Sequence, residues 1–402
     1  MAYSFPWRIP SRSTNSFCLL DDPTKMKNSA DDLKNFIPGT IALFGSGETT
    51  PSGRKIFEIL FKIVETEKLL RPPLKGLEDL PKPMNIALLE TPAGFELNSA
   101  QVVKRISDFI CHHLQNYHPK THIIPARKRG TPYSPDDPQI VAPLLEADVI
   151  FMGPGSPTYV VRQLRESLAW HYLVACHRLG SALALSSAAT IAISAYALPV
   201  YEIYKVGEEI HWKEGLNLFN PFGLRLVFIP HWNNQDGGEE LDTSRCYMGR
   251  TRFQALLEIL PEEITVIGID EKTGLLMDFH SHQCRVVGSG KVTILHTGTQ
   301  REIKHGQTFP FDLLGTFRMP SPSDDLPQEI WQQVLERKTQ QPQDDSQIAL
   351  PPNEILQLVE QREGARRRKD WQTADELRQQ IAHRGWRVLD TPDGPKIEPI
   401  PK

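Results

Sequence analysis

Between positions 40 and 314 the chain alternates short apolar runs with longer amphipathic stretches. The runs fall at 41–44, 86–89, 122–124, 149–152, 182–185 and 226–229. Several are unbroken rather than alternating, the pattern of strands covered on both faces. Stretches such as 99–114 and 159–179 repeat apolar residues at helical spacing between them. Strand and helix in alternation predict an α/β fold with a mainly parallel sheet sandwiched by helices. Residues 275–312 turn strand-like around Gly288-Ser289-Gly290 and His305-Gly306 and predict an edge hairpin region. The stretch 179–200 carries no charge and is long enough to span a bilayer, but it is mostly Ala and Ser. Its pattern predicts a buried strand, a sharp turn and a buried helix.

The remainder divides by composition. Residues 1–37 look irregular, 38–315 form the α/β domain, and 316–352, rich in Pro, Gln, Asp and Ser, form a linker with a short helical stretch around 329–338. Residues 353–402 form a separate helical module. Asn353 is placed to cap a helix running to about Arg368, and a second helix from Trp371 to His383 stops at Gly385. With 40% hydrophobic and 23% charged residues, global disorder is excluded. The net charge of -4 argues against a chain that coats nucleic acid as a whole, while leaving room for a local basic patch. The five cysteines are scattered and never form CxxC, which suits a reducing compartment rather than a disulfide scaffold. No apolar core of a secretory signal appears in residues 1–27, so the expectation is a cytoplasmic protein without a membrane span.

Two glycine-rich loops fail their templates. Gly45-Ser46-Gly47-Glu48-Thr49-Thr50 has Thr50 where a dinucleotide fingerprint needs glycine, and Gly288-Ser289-Gly290-Lys291-Val292 lacks the hydroxyl of a phosphate loop. The run Gly180-Ser181-Ala182-Leu183-Ala184-Leu185-Ser186-Ser187-Ala188-Ala189 is more informative. An apolar strand enters two serines and then only small residues, as a nucleophile elbow requires; a buried Ala/Ser helix packed on a sheet is the alternative. A serine hydroxyl needs a base, and His231 follows an apolar strand, where α/β sheets place site residues. An orienting acid is sought in Glu202, set in an apolar and aromatic stretch, with Glu208, Glu209 and Asp236 as alternatives. Gly153-Pro154-Gly155-Ser156, directly after a strand, offers a second oxyanion donor. His280, His282 and Cys284 alternate and would share a strand face that zinc could use, but an ordinary hairpin is the preferred reading, and no metal site is assigned.

Taken in order, these segments resemble the cyanophycinase and dipeptidase E type of serine peptidases, relatives of the class I glutamine amidotransferase fold. The resemblance covers about residues 38–312. It rests on the turn 153–158, on Ser187-Ala188-Ala189, on His231, and on Gly268-Ile269-Asp270-Glu271-Lys272-Thr273-Gly274-Leu275 followed by the glycine segment 286–292. It implies a cofactor-free serine triad hydrolysing small or aspartyl-containing peptides. Ser187 would be the nucleophile, His231 the base and Glu202 the orienting acid, with the N–H groups of Gly155 and Ala188 as oxyanion hole. Ala189 stands where the family has glycine, and the first arginines after His231 are Arg245 and Arg250. Substrate contacts are therefore assigned to Asn233, Asn234 and Arg245. The elbow has no cysteine, so glutaminase chemistry is not expected; a catalytically silent ligand-binding relative is the alternative.

The tail resembles the C-terminal module of cysteinyl-tRNA synthetases through Leu358 to Trp371, Ala374 to Arg378 and Gly385 to Pro395. That resemblance implies contact of residues 353–402 with RNA, tRNA or a protein partner, the cluster Arg366, Arg367, Arg368 and Lys369 being able to meet phosphates. No His-Ile-Gly-His is present, so aminoacylation is not expected. Nothing in the pattern defines an oligomeric state.

Overall fold

The computed structural model describes residues 37–70, 83–321, 323–339, 353–368, 370–391 and 394–399. The irregular segment expected over 1–37, Cys18 and Lys369 therefore lie outside the described residues, apart from Ile37. The chain divides into two compact units, one ending at Lys338 and one beginning at Thr339.

In the first unit an eight-stranded mixed sheet runs through the centre. Strands β1 (Ile41–Phe44), β2 (Met84–Leu89), β3 (Pro119–Ile124), β4 (Val149–Met152) and β5 (Ala182–Ser186) pair in parallel in the order β1-β5-β4-β2-β3. Short strands β6 (Tyr196–Ala197) and β7 (Lys213–Glu214) pair with each other outside it. Then β8 (Leu226–Ile229) and β9 (Thr265–Ile269) pair in parallel in a second sheet. The chain crosses to the main sheet as β10 (Thr273–Asp278), which runs antiparallel to β1 and continues it through β11 (Gln283–Gly288). Strands β12 (Lys291–His296) and β13 (Thr299–Lys304) extend the second sheet to four strands, and β14 (Thr308–Pro310) closes the main sheet against β11. The fold is the expected α/β architecture, with an antiparallel extension.

Period two explains why the central runs are unbroken. In β1, β4 and β5 the residues Ile41, Leu43, Ile150, Met152, Leu183 and Leu185 face one hydrophobic core. Their neighbours Ala42, Phe44, Val149, Phe151, Ala182 and Ala184 face a second core on the other side. Helix Pro51–Leu70 covers that second face with Ile56, Phe57, Leu60, Phe61 and Val64, one stripe at helical spacing, and helix Ser99–His113 joins it through Val103, Ile106 and Ile110.

Three expectations are corrected. The stretch 159–179 is not one helix but two, Pro157–Leu164 and Leu168–Arg178. Ser167 breaks it by capping the second helix, accepting from the Trp170 amide, with Glu166 in the left-handed region at φ 56. The segment read as linker is partly core: helix Gln328–Thr339 buries Trp331 and Val334 in the first hydrophobic core. Lys338 Nζ donates to Ala147 O and Ser181 Oγ, both at 2.9 Å. His280 and His282 lie in the turn between β10 and β11, while Cys284 is buried on β11, so the three share no strand face.

The second unit is more than a helical hairpin. Helices Asn353–Arg367 and Trp371–His383 pack on each other, and Gly385 (φ 81) stops the second. A two-stranded antiparallel hairpin, β15 (Trp386–Thr391) and β16 (Gly394–Pro399), follows. Its core is Ile355, Val359, Ile381, Trp386 and Val388. Among the described residues no helix is long and apolar enough to cross a membrane.

Candidate active site

The C-terminal ends of β1, β5, β8 and β9 converge at the corner where the two sheets meet. Gly45, just past β1, donates to Thr273 O at 2.9 Å and accepts from the His231 amide at 3.1 Å; Trp232 N donates to Ile269 O at 3.1 Å. Trp232 packs so closely on β9 that a Cβ at Gly268 would lie 2.2 Å from its ring, so only glycine fits there.

Strand β5 enters the corner and the chain turns sharply into helix Ala188–Ala192. Ser187 at the turn has φ 51 and ψ -110, a costly conformation for a residue with a Cβ, of order 1–3 kcal/mol. The turn is held by Ser187 N donating to Phe44 O at 3.3 Å and by Thr190 Oγ1 donating to Leu185 O at 2.8 Å. Ala189 sits inside the helix with ordinary backbone, so an alanine at this position introduces no strain.

Ser187 Oγ lies 2.9 Å from His231 Nε2. On the far side of the ring, His231 Nδ1 lies 2.9 Å from Glu271 Oε1. With Nδ1 protonated, the imidazole donates to the carboxylate and Nε2 is left to accept from the serine. Asn234 Nδ2 donates to the same Glu271 oxygen at 2.9 Å, and the Glu271 amide donates to Asn233 Oδ1 at 2.8 Å. The hydrogen bond from His231, then that from Asn234, hold the Glu271 carboxyl below its ordinary value against the opposing effect of burial.

The acid that meets the imidazole is therefore Glu271 and not Glu202. Glu202 sits in a π-type turn, Glu202–Val206, and its Oε1 accepts from Thr158 Oγ1 at 2.5 Å. Nor do the alternatives reach it: Glu208 lies 3.6 Å from His211 Nε2, Glu209 bonds His211 through its backbone oxygen, and Asp236 accepts from the Tyr247 hydroxyl. Asn233 and Asn234 bond Glu271. Arg245 stacks on Trp232, its guanidinium carbon 3.9 Å from the ring centroid, and donates to Trp232 O at 3.1 Å. These three support the corner and do not line the cavity beside Ser187. Glu271 carried a signal of its own: it follows an apolar strand end just as His231 does. Its neighbour Asp270 is 4% exposed and instead accepts from the Lys291 amide at 3.0 Å, tying down the next hairpin.

Ser187 and His231 open into a cavity of about 500 Å³ that Gly155 and Ala188 also line. Ala188 is the first helical residue, so its N–H has no intrahelical partner. Gly155 has φ 149 and presses on Pro92 O, which a Cβ would meet at 1.9 Å. Neither N–H donates to protein among the described residues. The cysteine in this lining, Cys246, is buried, and burial pushes its thiol up to about 12 with Glu271 adding to the effect, so it stays a neutral thiol. Among the described residues no His/Cys/Asp/Glu group is arranged to hold a metal ion.

Comparison with known proteins places the two units separately. A crystal structure of a peptidase from an acI-B1 Actinobacterium shares the fold with TM-score 0.53 and 22% identity, covering 69% of this chain and 98% of that one. Residues 351–395 match the cysteinyl-tRNA ligase anticodon binding domain. Cysteine–tRNA ligase of Methanosarcina mazei is 51% identical over 47 residues, 12% of this chain and 10% of that protein. That of Chlamydia abortus is 53% identical over 47 residues. The chain thus spans about a tenth of these curated relatives.

Proposed function

We propose that the protein is a serine hydrolase of small peptides or related amides and esters, with Ser187 as nucleophile, His231 as base and Glu271 as the acid that orients it. The observation that carries this reading is the relay Ser187 Oγ–His231 Nε2–Glu271, 2.9 Å at each step, at the mouth of a cavity. Ser187 Oγ attacks the scissile carbonyl carbon while its proton passes to His231 Nε2. Glu271, held ionised, stabilises the imidazolium so formed. The carbonyl oxygen becomes an oxyanion received by the N–H groups of Gly155 and Ala188. The C–N or C–O bond then breaks, and His231 returns the proton to the leaving amine or alcohol. Water, deprotonated by His231, attacks the acyl-serine; the carboxylic acid leaves and Ser187 regains its proton. Ser187→Ala is expected to abolish covalent labelling by a fluorophosphonate probe while the melting temperature changes by less than about 3 °C. Undiminished labelling removes Ser187 from the role, and a wild-type chain that takes up no label favours the silent ligand-binding alternative.

For the tail we propose contact with tRNA or a similarly structured RNA, on the strength of the match over residues 351–395. Arg368, Arg378 and Arg384 are exposed there. Reversing the charge of all three in the full chain is expected to weaken RNA binding at least tenfold at low salt and to flatten its salt dependence. Binding with unchanged affinity and slope ends this reading.

A further inference from the structure

The cavity is also lined by Ile191, Val200, Tyr201, Tyr204 and Tyr247. The rings of Tyr204 and Tyr247 pack 5.3 Å apart, and Tyr247 lies 6.0 Å from the His231 ring. Tyr247 is delivered there by three consecutive left-handed residues, Arg245, Cys246 and Tyr247, with φ of 58, 57 and 69. Each costs energy that a relaxed loop avoids. Cys246 N donating to His231 O at 3.1 Å and Arg252 donating to Tyr247 O at 3.0 Å pin the turn.

Among the described residues, the charged ones that line this cavity are Lys205 and Asp236. Both are exposed. The Lys205 ammonium sits 4.9 Å from the Tyr204 ring centroid. Asp236 accepts from the Tyr247 hydroxyl at 2.8 Å. Hydrogen bonding with Asn234 and then with Tyr247 keeps its carboxyl below the ordinary range, so it is ionised at neutral pH. Arg245, the first arginine after His231, is stacked on Trp232 instead. Tight carboxylate recognition calls for a guanidinium presenting two parallel donors. An exposed lysine is a weak replacement, and Asp236 repels a second carboxylate. An apolar side chain, by contrast, releases water from aromatic rings and needs no charged partner.

We propose that this cavity accepts a neutral apolar or aromatic side chain beside the scissile carbonyl and rejects an aspartyl one. This inference rests on the hydrolase reading above and specifies its substrate: peptides or esters of apolar residues, the opposite of what the family resemblance implies.

The test uses the full chain and a set of 4-nitrophenyl esters and 4-nitroanilides of Phe, Leu and Asp, with fluorophosphonate labelling in parallel. Phe and Leu substrates are expected to exceed Asp by about a hundredfold in kcat/KM, the scale on which an unpaired polar group is rejected. Tyr201→Arg replaces a 40% exposed ring by a guanidinium and is expected to move the Asp-to-Phe ratio upward at least tenfold. Lys205→Ala is expected to move that ratio less than about threefold. Asp substrates turned over as well as Phe, or an Asp activity that collapses in Lys205→Ala, overturns this inference while leaving the hydrolase reading intact. Absence of Ser187-dependent labelling removes both.

Discussion

The two units differ in how much conformational strain they hold. In the α/β unit the corner between the sheets carries five non-glycine residues at positive φ: Ser187, His231, Arg245, Cys246 and Tyr247. Lys272, next to Glu271, is a further one at φ 54. At roughly 1–3 kcal/mol each, the first five together approach the whole stability of an ordinary domain. In the tail, among the described residues, only Gly385 has positive φ. The cores differ in the same sense. The α/β unit has apolar layers on both faces of its main sheet, whereas the tail is held by Ile355, Val359, Ile381, Trp386 and Val388. Strain of this size persists only where surrounding packing over-determines it, so a strained candidate site belongs in the large unit.

The largest effect should come from inside the strained corner. Glu271→Gln keeps the shape but loses the charge that fixes the His231 tautomer, and is expected to lower kcat by about 10²–10⁴-fold. Glu202→Gln, whose carboxylate meets Thr158 instead, is expected to change kcat less than about fivefold. Steady-state rates on one ester substrate decide between them; equal losses in the two variants would sink the assignment of Glu271.

Next comes the core that holds the strain. Trp331, 3% exposed, lies in a helix that the sequence places in a linker. Trp331→Ala is expected to destabilise the α/β unit by about 3–5 kcal/mol and to reduce hydrolysis with it. Ile381→Ala, at the centre of the tail core, should cost that unit about 2–5 kcal/mol and leave hydrolysis unchanged. Scanning calorimetry should resolve two transitions, each moved by one variant. A single transition that both variants shift would mean the units do not unfold separately.

The same contrast explains what the sequence made legible. Strands covered on both faces announce themselves as unbroken apolar runs, and Ser187 and His231 stand directly after two of them. Glu271 was harder to read because it follows Asp270 in an acidic pair. Strand alternation alone does not tell which of two adjacent acids turns toward the site and which pins the hairpin. Glu202 misled for the opposite reason. An acid among apolar residues is costly unless paired, but the pairing hydroxyl, Thr158, sits 44 positions away and belongs to another helix. The division of strands between two sheets was hidden too, because the crossing from β9 to β10 takes only three residues and has no turn signature. The helix expected around 329–338 is present as Gln328–Thr339, but its place in the core escaped because its polar surroundings masked two large apolar residues, Trp331 and Val334, one turn apart.

The smallest effect concerns acid. His177 on helix Leu168–Arg178 is fully buried, its ring centroid 5.4 Å from that of Phe279 and 6.4 Å from that of Phe222. Its Nδ1 lies 3.4 Å from Ser181 O, and its Nε2 has no hydrogen-bond partner among the described residues. Burial, reinforced by the charge of Arg178, lowers it to about 3. The folded state therefore holds a neutral ring where the unfolded chain takes up a proton below its ordinary pKa of about 6.5. Protonation favours unfolding, so stability falls as pH drops from about 6.5 toward 3, at a slope approaching about 1.4 kcal/mol per pH unit. His177→Leu removes the titration while keeping an apolar side chain in place. Urea unfolding at pH 7, 6, 5 and 4 should show the stability of the original chain falling relative to the variant by about 1.4 kcal/mol per unit below pH 6. The offset should appear in the transition that Trp331→Ala moves and not in the one that Ile381→Ala moves. Parallel curves for the two proteins would mean that the folded state already admits the proton at His177, and that this part of the large core is less closed to charge than its burial indicates.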